Sequence, residues 1–162
     1  MVGRTILIWL AVLMVACAPV PGNATGDRSS GSIGSASTEP AAPTLAATAE
    51  EADEAPAGAI EILLTFGPKF EPEEVSAPAG TIVFFLRNDQ GDGPPAIHNF
   101  LLGTSIEEPP LAASPTLATG QAVVFTVDGV EPGTYVYWCT LPSPDGSPHS
   151  AAGMVGTLTV TP

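Results

Sequence analysis

An all-β fold is what this 162-residue sequence predicts. Three observations carry that expectation. Short runs rich in Val, Ile, Leu, Phe, Tyr and Thr recur from residue 59 onward, Gly, Pro and Asp clusters interrupt them, and no stretch of that region keeps a helical hydrophobic period. Such a chain forms a sandwich or barrel, here of about seven to eight strands.

The elements follow in order. Residues 59–66 form the first run and stop at Gly67-Pro68, a pair that punctuates strands. Residues 74–77 are short and close on Ala79-Gly80, and 81–87 make a third run that ends in the turn-rich stretch 89–95. Residues 98–102 come next. The segment 106–119, rich in Pro and Ala, reads as irregular chain or a short helix. Residues 121–127 end at Asp128-Gly129, Glu131-Pro132-Gly133 leads into 134–139, and 155–161 is the last run. Along 134–139 side chains switch faces at each residue, so Tyr135, Tyr137 and Cys139 share one face while Val136 and Trp138 share the other. No internal repeat is evident.

Composition divides the chain into three parts. Residues 1–16 carry Arg4 followed by about twelve mostly apolar residues, which is a signal peptide rather than a span, since a bilayer crossing takes roughly 20. Met14-Val15-Ala16-Cys17 resembles the lipobox of bacterial and archaeal lipoproteins, in which cleavage before the cysteine leaves it as the lipid-bearing first residue. Ordinary cleavage nearby and a retained anchor are the other outcomes such a leader allows. Residues 17–58 are Ala, Ser, Gly, Pro, Thr and Glu with almost no large apolar side chain, so they are expected to be a disordered linker with a reach on the order of 35 Å. Residues 59–162 suit a single domain.

Charge excludes some partners. From residue 59 onward there are 11 acidic residues and two basic ones, Lys69 and Arg87, a formal charge of −9. Nucleic acid and anionic lipid surfaces are poor partners for such a domain. A protein partner with a basic docking face is favoured; the same acidity also serves solubility or adaptation to salt.

Functional side chains are few and concentrated. After the 134–139 run, Cys139, His149 and Met154 lie in one loop, with nine and then four residues between them, and His98 lies 41 positions before the cysteine. The chain has only two His, two Cys and three Met. Two imidazoles, a thiolate and a weak thioether make the ligand set of a blue-copper electron-transfer centre, because they satisfy neither Cu(I) nor Cu(II) fully and leave little to rearrange on electron exchange. Each residue alone is more often structural; the four together are not. A thiol nucleophile would need a base and an orienting group, and nothing else in the chain fits those roles.

The resemblance follows from these residues. Three ligands in one loop and a fourth on a distant strand resemble the cupredoxins, the group of plastocyanin, azurin and halocyanin, as do Phe70-Glu-Pro-Glu-Glu-Val-Ser-Ala-Pro-Ala-Gly80, His98-Asn99-Phe100, Gly133-Thr-Tyr-Val-Tyr-Trp-Cys139 and Ser147-Pro-His-Ser-Ala-Ala-Gly-Met-Val-Gly-Thr-Leu-Thr-Val160. It covers about residues 59–162. It implies a Greek-key β-sandwich, one type 1 copper cycling between Cu(I) and Cu(II) on His98, Cys139, His149 and Met154, and a tie from Asn99 to Thr140 that fixes the ligand segments. It implies electron exit through His149, set among Pro142, Pro148, Ala151, Ala152 and Gly153. Trp138, next to the cysteine and turned outward by the alternation, is either a second electron port or a packing residue. One departure stands out: plastocyanins and azurins have two to four residues between loop cysteine and histidine, whereas this chain has nine. The insertion, with its three prolines and Gly146, reads as a tight turn that bulges outward.

The expected function is therefore that of a monomeric, lipid-tethered, extracytoplasmic carrier of single electrons between redox proteins such as cytochromes or membrane redox complexes. It is not expected to be an enzyme, since both histidines are committed to one centre and none remain for a second. The competing reading is a copper-storage or delivery protein. With Cys17 and Cys139 both committed, no disulfide is available, and stability rests on packing and on metal bound to the native state.

Overall fold

Two five-stranded sheets face each other in the computed structural model, which describes residues 45–162. In chain order the strands are β1 (Ala47–Glu51), β2 (Ile60–Thr65), β3 (Lys69–Glu71), β4 (Glu74–Pro78) and β5 (Gly80–Asp89), followed by β6 (Leu101–Gly103), β7 (Ala112–Ala113), β8 (Ala122–Val130), β9 (Gly133–Trp138) and β10 (Val155–Thr161). One sheet runs β1-β8-β5-β2-β3 and the other β4-β10-β9-β6-β7. Pairing is antiparallel except for β2 with β5 and β4 with β10.

The period-2 pattern explains why these segments pair as they do. In β8 the inward set Val123, Phe125 and Val127 is buried while Val124 and Thr126 are only half-buried. Phe84 of β5 meets Phe125 in register, and Tyr137 of β9 carries the aromatic packing across to Phe100 and Phe70. Phe84, Phe100, Phe125, Phe70 and Tyr137 are essentially without solvent exposure and form edge-on, tilted and stacked pairs at 5.0–6.4 Å, the separations aromatic rings prefer. The all-β sandwich expected from the sequence is what forms.

Several boundaries differ. The linker was expected to run through residue 58, yet Ala47–Glu51 pairs with β8 along its whole length, from Ala47 opposite Val127 to Glu51 opposite Val123. All five residues of this strand are exposed, so no apolar alternation marks it in the sequence; backbone hydrogen bonds and the half-buried Leu45 at its start hold it in place. The 98–102 run shortens to Leu101–Gly103, because the chain at His98 makes only an isolated bridge to Leu117. β3 and β7, of three and two residues, are too short to leave a periodic signal. The leader 1–16, Cys17 and the linker up to residue 44 lie outside the described residues. Among the described residues no helix is long and apolar enough to cross a membrane.

Candidate metal centre

Three separate pieces of chain deliver the candidate ligands to one end of the sandwich. His98 sits on the bridge to Leu117, where its backbone N–H donates to Leu117 O at 3.0 Å and its C=O accepts from Leu117 N–H at 2.8 Å. Cys139 follows the last residue of β9, so the strand alternation turns it inward with Tyr137. His149 opens a single 3-10 turn, His149–Ala152, which Gly153 closes in the left-handed region at φ 101°, and Met154 follows just before β10. Gly153 N–H donates back to His149 O and Ser150 O, so this reversal is self-capped.

The long Cys139–His149 insertion has a definite shape. Ser143 N–H donates to Ser147 O at 2.7 Å, Gly146 N–H to Ser143 O at 2.9 Å, and His149 N–H to Leu141 O at 2.8 Å. It is a miniature hairpin, with Pro142 opposite Pro148 and Gly146 at φ 86° taking the turn position that needs a left-handed residue. Asp145 accepts the N–H and hydroxyl of Ser147 at 3.0 and 2.7 Å, bracing the tip. The extra residues therefore stack outward and leave the ligand spacing to the hairpin's base, as the sequence anticipated.

Side chains converge at that base. His149 Nδ1 lies 3.4 Å from Cys139 Sγ and His98 Nδ1 lies 4.0 Å from it. The candidate ligand atoms of the three residues all fall within 4.8 Å of one another, and each of the three side chains is buried. Met154 is fully buried beside them, with Cys139 N–H donating to Met154 O at 3.2 Å and Met154 N–H to His149 O at 3.0 Å. Ligand atoms bonded to one first-row ion at about 2.0–2.3 Å stand roughly 3–4 Å apart, and the sulfur-to-nitrogen separations of 3.4 and 4.0 Å are of that size. A thiolate, two Nδ1 nitrogens and a thioether are soft and intermediate donors, the set that selects copper of the type 1 class.

Electrostatics agree with a site built for a cation and not for free protons. Burial, with the neighbouring His149 imidazole adding to it, pushes His98 down to about 4. Burial lowers His149 as well. The Cys139 thiol is pushed up by burial, against which hydrogen bonds from the backbone at Asn99 and Leu141 act in the opposite sense. Each shift favours the neutral form of its group, and a bound cation would favour the thiolate over the thiol.

The expected tie between segments is present. Asn99 Oδ1 accepts the Thr140 N–H at 3.0 Å and Asn99 Nδ2 donates to Thr140 Oγ1 at 3.0 Å, a two-point clasp across 41 residues of sequence. Trp138 points away from the core, on the face opposite Tyr137, and is only 3% exposed, the packed arrangement of the two that the sequence left open. The segment after β6 folds over that face, and Gly103 leaves the space: a side chain there would press on Trp138 Cη2 at 3.0 Å with Pro110 close behind. Alternation fixed the direction of the side chain, while a loop without periodicity supplied the cover.

Pro142, Pro148, Ala151, Ala152 and Gly153 are all exposed around the 8%-exposed His149. The sequence reading missed the other wall of this surface. A groove of about 340 Å³ runs beside His98 and His149, and its apolar side is made by Phe66, Pro94, Pro95 and Pro144. Phe66 is 59% exposed, the largest exposure of any big apolar side chain among the described residues.

This geometry agrees with comparison to known proteins. A family model described as a cupredoxin-like domain matches residues 40–150. The chain belongs to the cupredoxin family. It is 34% identical over 113 residues to the plastocyanin of Prochlorothrix hollandica, covering 65% of this chain and 77% of that protein. Among solved structures it is similar to the sodium-dithionite-reduced auracyanin of the photosynthetic bacterium Roseiflexus castenholzii, with 27% identity and a TM-score of 0.53 over 64% of this chain and 97% of that one. It is similar also to auracyanin B, with 27% identity and a TM-score of 0.54 over 75% of this chain and all of that one. The cupredoxin match begins at residue 40, ahead of β1, in keeping with a domain that starts before residue 59.

Proposed function

We propose that this cupredoxin is a blue copper electron carrier, tethered outside the cytoplasm by a lipid on Cys17, that relays single electrons between redox proteins. The observation that carries the reading is the convergence of His98 Nδ1, His149 Nδ1 and Cys139 Sγ in a buried cluster closed by Met154. Copper held there supplies a one-electron couple between Cu(I) and Cu(II). The protein's own part is to bury His98, Cys139 and Met154, to hold the cysteine loop against the His98 segment through the Asn99–Thr140 clasp, and to leave His149, at 8% exposure, as the member of the cluster nearest solvent. A clasped and buried ligand set limits movement on electron exchange, which is what a carrier needs.

Burial also weighs against copper storage or delivery, which calls for accessible, exchangeable donors. The plastocyanin and auracyanin resemblance supports a carrier over an enzyme. The acidic surface favours a partner with a basic docking face, and the exposed Phe66 and proline surface beside His149 suits brief apolar contact there. The leader and Cys17 support export and lipid attachment.

One spectrum tests the reading. The copper-loaded protein is expected to show an intense thiolate-to-copper absorption band and the narrow copper hyperfine pattern of a type 1 centre in spin resonance, and Cys139→Ser is expected to lose both. Pale copper that a mild chelator removes at once would instead point to storage or delivery.

A further inference from the structure

The groove beside His149 ends on a set of polar atoms that neither the ligand cluster nor the Asn99 clasp accounts for. Three buried side-chain atoms among the described residues lack a hydrogen-bond partner: Thr65 Oγ1, Gln90 Oε1 and His98 Nε2. All three residues line this one groove. Buried polar groups are paired in the great majority of cases, so three orphans at one place call for a reason.

The chemistry of Gln90 and His98 is complementary. Gln90 Nε2 donates to Leu64 O at 3.1 Å and to Asn88 Oδ1. Asn88 Nδ2 in turn donates to the carbonyls of Ala96 and Leu117, each at 2.9 Å. Every amide hydrogen of the pair faces an oxygen, so turning either amide over would set oxygen against oxygen, and the free end of Gln90 is fixed as an acceptor. His98 presents Nδ1 to the cysteine sulfur. A neutral imidazole bound through Nδ1 carries its hydrogen on Nε2, which makes that atom a donor. Gln90 and His98 are 4% and 1% exposed, so both polar ends are largely buried.

We propose that Gln90 is a positioning residue for the copper ligand His98: in the copper-loaded protein its Oε1, without a partner in the metal-free fold, takes the His98 Nε2 hydrogen, and Asn88 holds the amide in that sense. The proposal rests on the copper-carrier reading above. Asn88 is well placed to do this, since the two carbonyls it grips flank the backbone bridge that carries His98. An acceptor on the far nitrogen fixes the tautomer and rotation of a ligating imidazole and makes it a better donor to the oxidised metal. His98 is thereby locked from behind, while His149 is left to face the partner.

The test compares copper-loaded wild type with Gln90→Leu in the full chain. In the diamagnetic Cu(I) form, the wild-type His98 ring N–H is expected as an exchange-protected proton resonance showing a nuclear Overhauser contact to Gln90. Gln90→Leu is expected to lose that protection, to bind Cu(II) about 10- to 100-fold more weakly, and to have a higher reduction potential while keeping its blue colour. A variant that keeps both the protected ring proton and the wild-type potential overturns the proposal. If the variant does not fold, the wild type decides alone: a freely exchanging His98 ring proton overturns it. A wild type without a type 1 spectrum would bring down the copper reading itself, a different result from a blue wild type indifferent to Gln90.

Discussion

Each ligand has a separable job. Met154 is buried and held through its backbone to His149 and Cys139, so it reaches the site by being packed there and not by bonding strength. Met154→Leu is expected to keep copper and raise the reduction potential, read by redox titration of the absorption band, because a weak axial thioether tunes the centre more than it holds the metal. His98 gives a pH prediction for the metal-free protein. Its folded value of about 4 lies below the ordinary 6.5, so the unfolded chain binds the proton more readily. Stability from this residue is in full force above pH 6.5, declines as pH falls from 6.5 toward 4, and levels off below; His149 adds to the loss in the same sense. Urea midpoints of the copper-free domain across that range are expected to fall with acidity, and copper loading is expected to raise them at neutral pH. At this scale the sequence was informative: the four candidate ligands stood out as scarce residue types at characteristic spacing, and the tie from Asn99 to Thr140 was implied by the resemblance to cupredoxins. Asn88 and Gln90 were not legible, since two polar residues near the end of an apolar strand look like the start of any turn until their burial is seen.

Strand pairing shows the next scale. Gly156 of β10 lies directly opposite Tyr137 of β9, and the tyrosine ring folds across it to donate its hydroxyl to Pro72 O at 2.8 Å. A β-carbon at 156 would overlap the ring carbons and hydroxyl of Tyr137. Gly156→Ala is therefore expected to destabilise the domain by about 1–3 kcal/mol through overpacking, measured as a lowered denaturant midpoint. β1 makes a different point. Its five exposed residues cover the outer edge of β8, and Glu50 and Glu51 keep the new edge charged. Deletion through residue 51 is expected to leave the copper spectrum intact and to promote self-association in light scattering. β9 and β10 were legible through alternation and β1 was not, because a strand that only adds to an edge buries no side chains and needs no pattern.

The molecule as a whole combines a local apolar surface with a net negative charge. Phe66 and the hairpin prolines lie exposed beside the ligand cluster, and the domain from residue 59 onward carries a formal charge of −9. Electron exchange with a redox protein bearing a basic face is expected to slow as ionic strength rises from low to physiological, followed by stopped-flow absorbance of the copper band. A rate that does not respond to salt would assign the acidity to solubility alone.

By itself the sequence determined that the chain is all-β, which scarce donor side chains could gather into one metal site, and which face of β9 looks inward. These are local properties: strand period, donor chemistry and short spacings are written within a few residues. Only the tertiary structure decided that residues 47–51 join the sheet, that Trp138 lies under the segment after β6, that Phe66 stands beside His149, and that Gln90 and His98 end up in one groove. Each of those joins segments distant along the chain or lacking periodicity, and what meets across a sandwich is set by register and loop path, which no window of sequence contains.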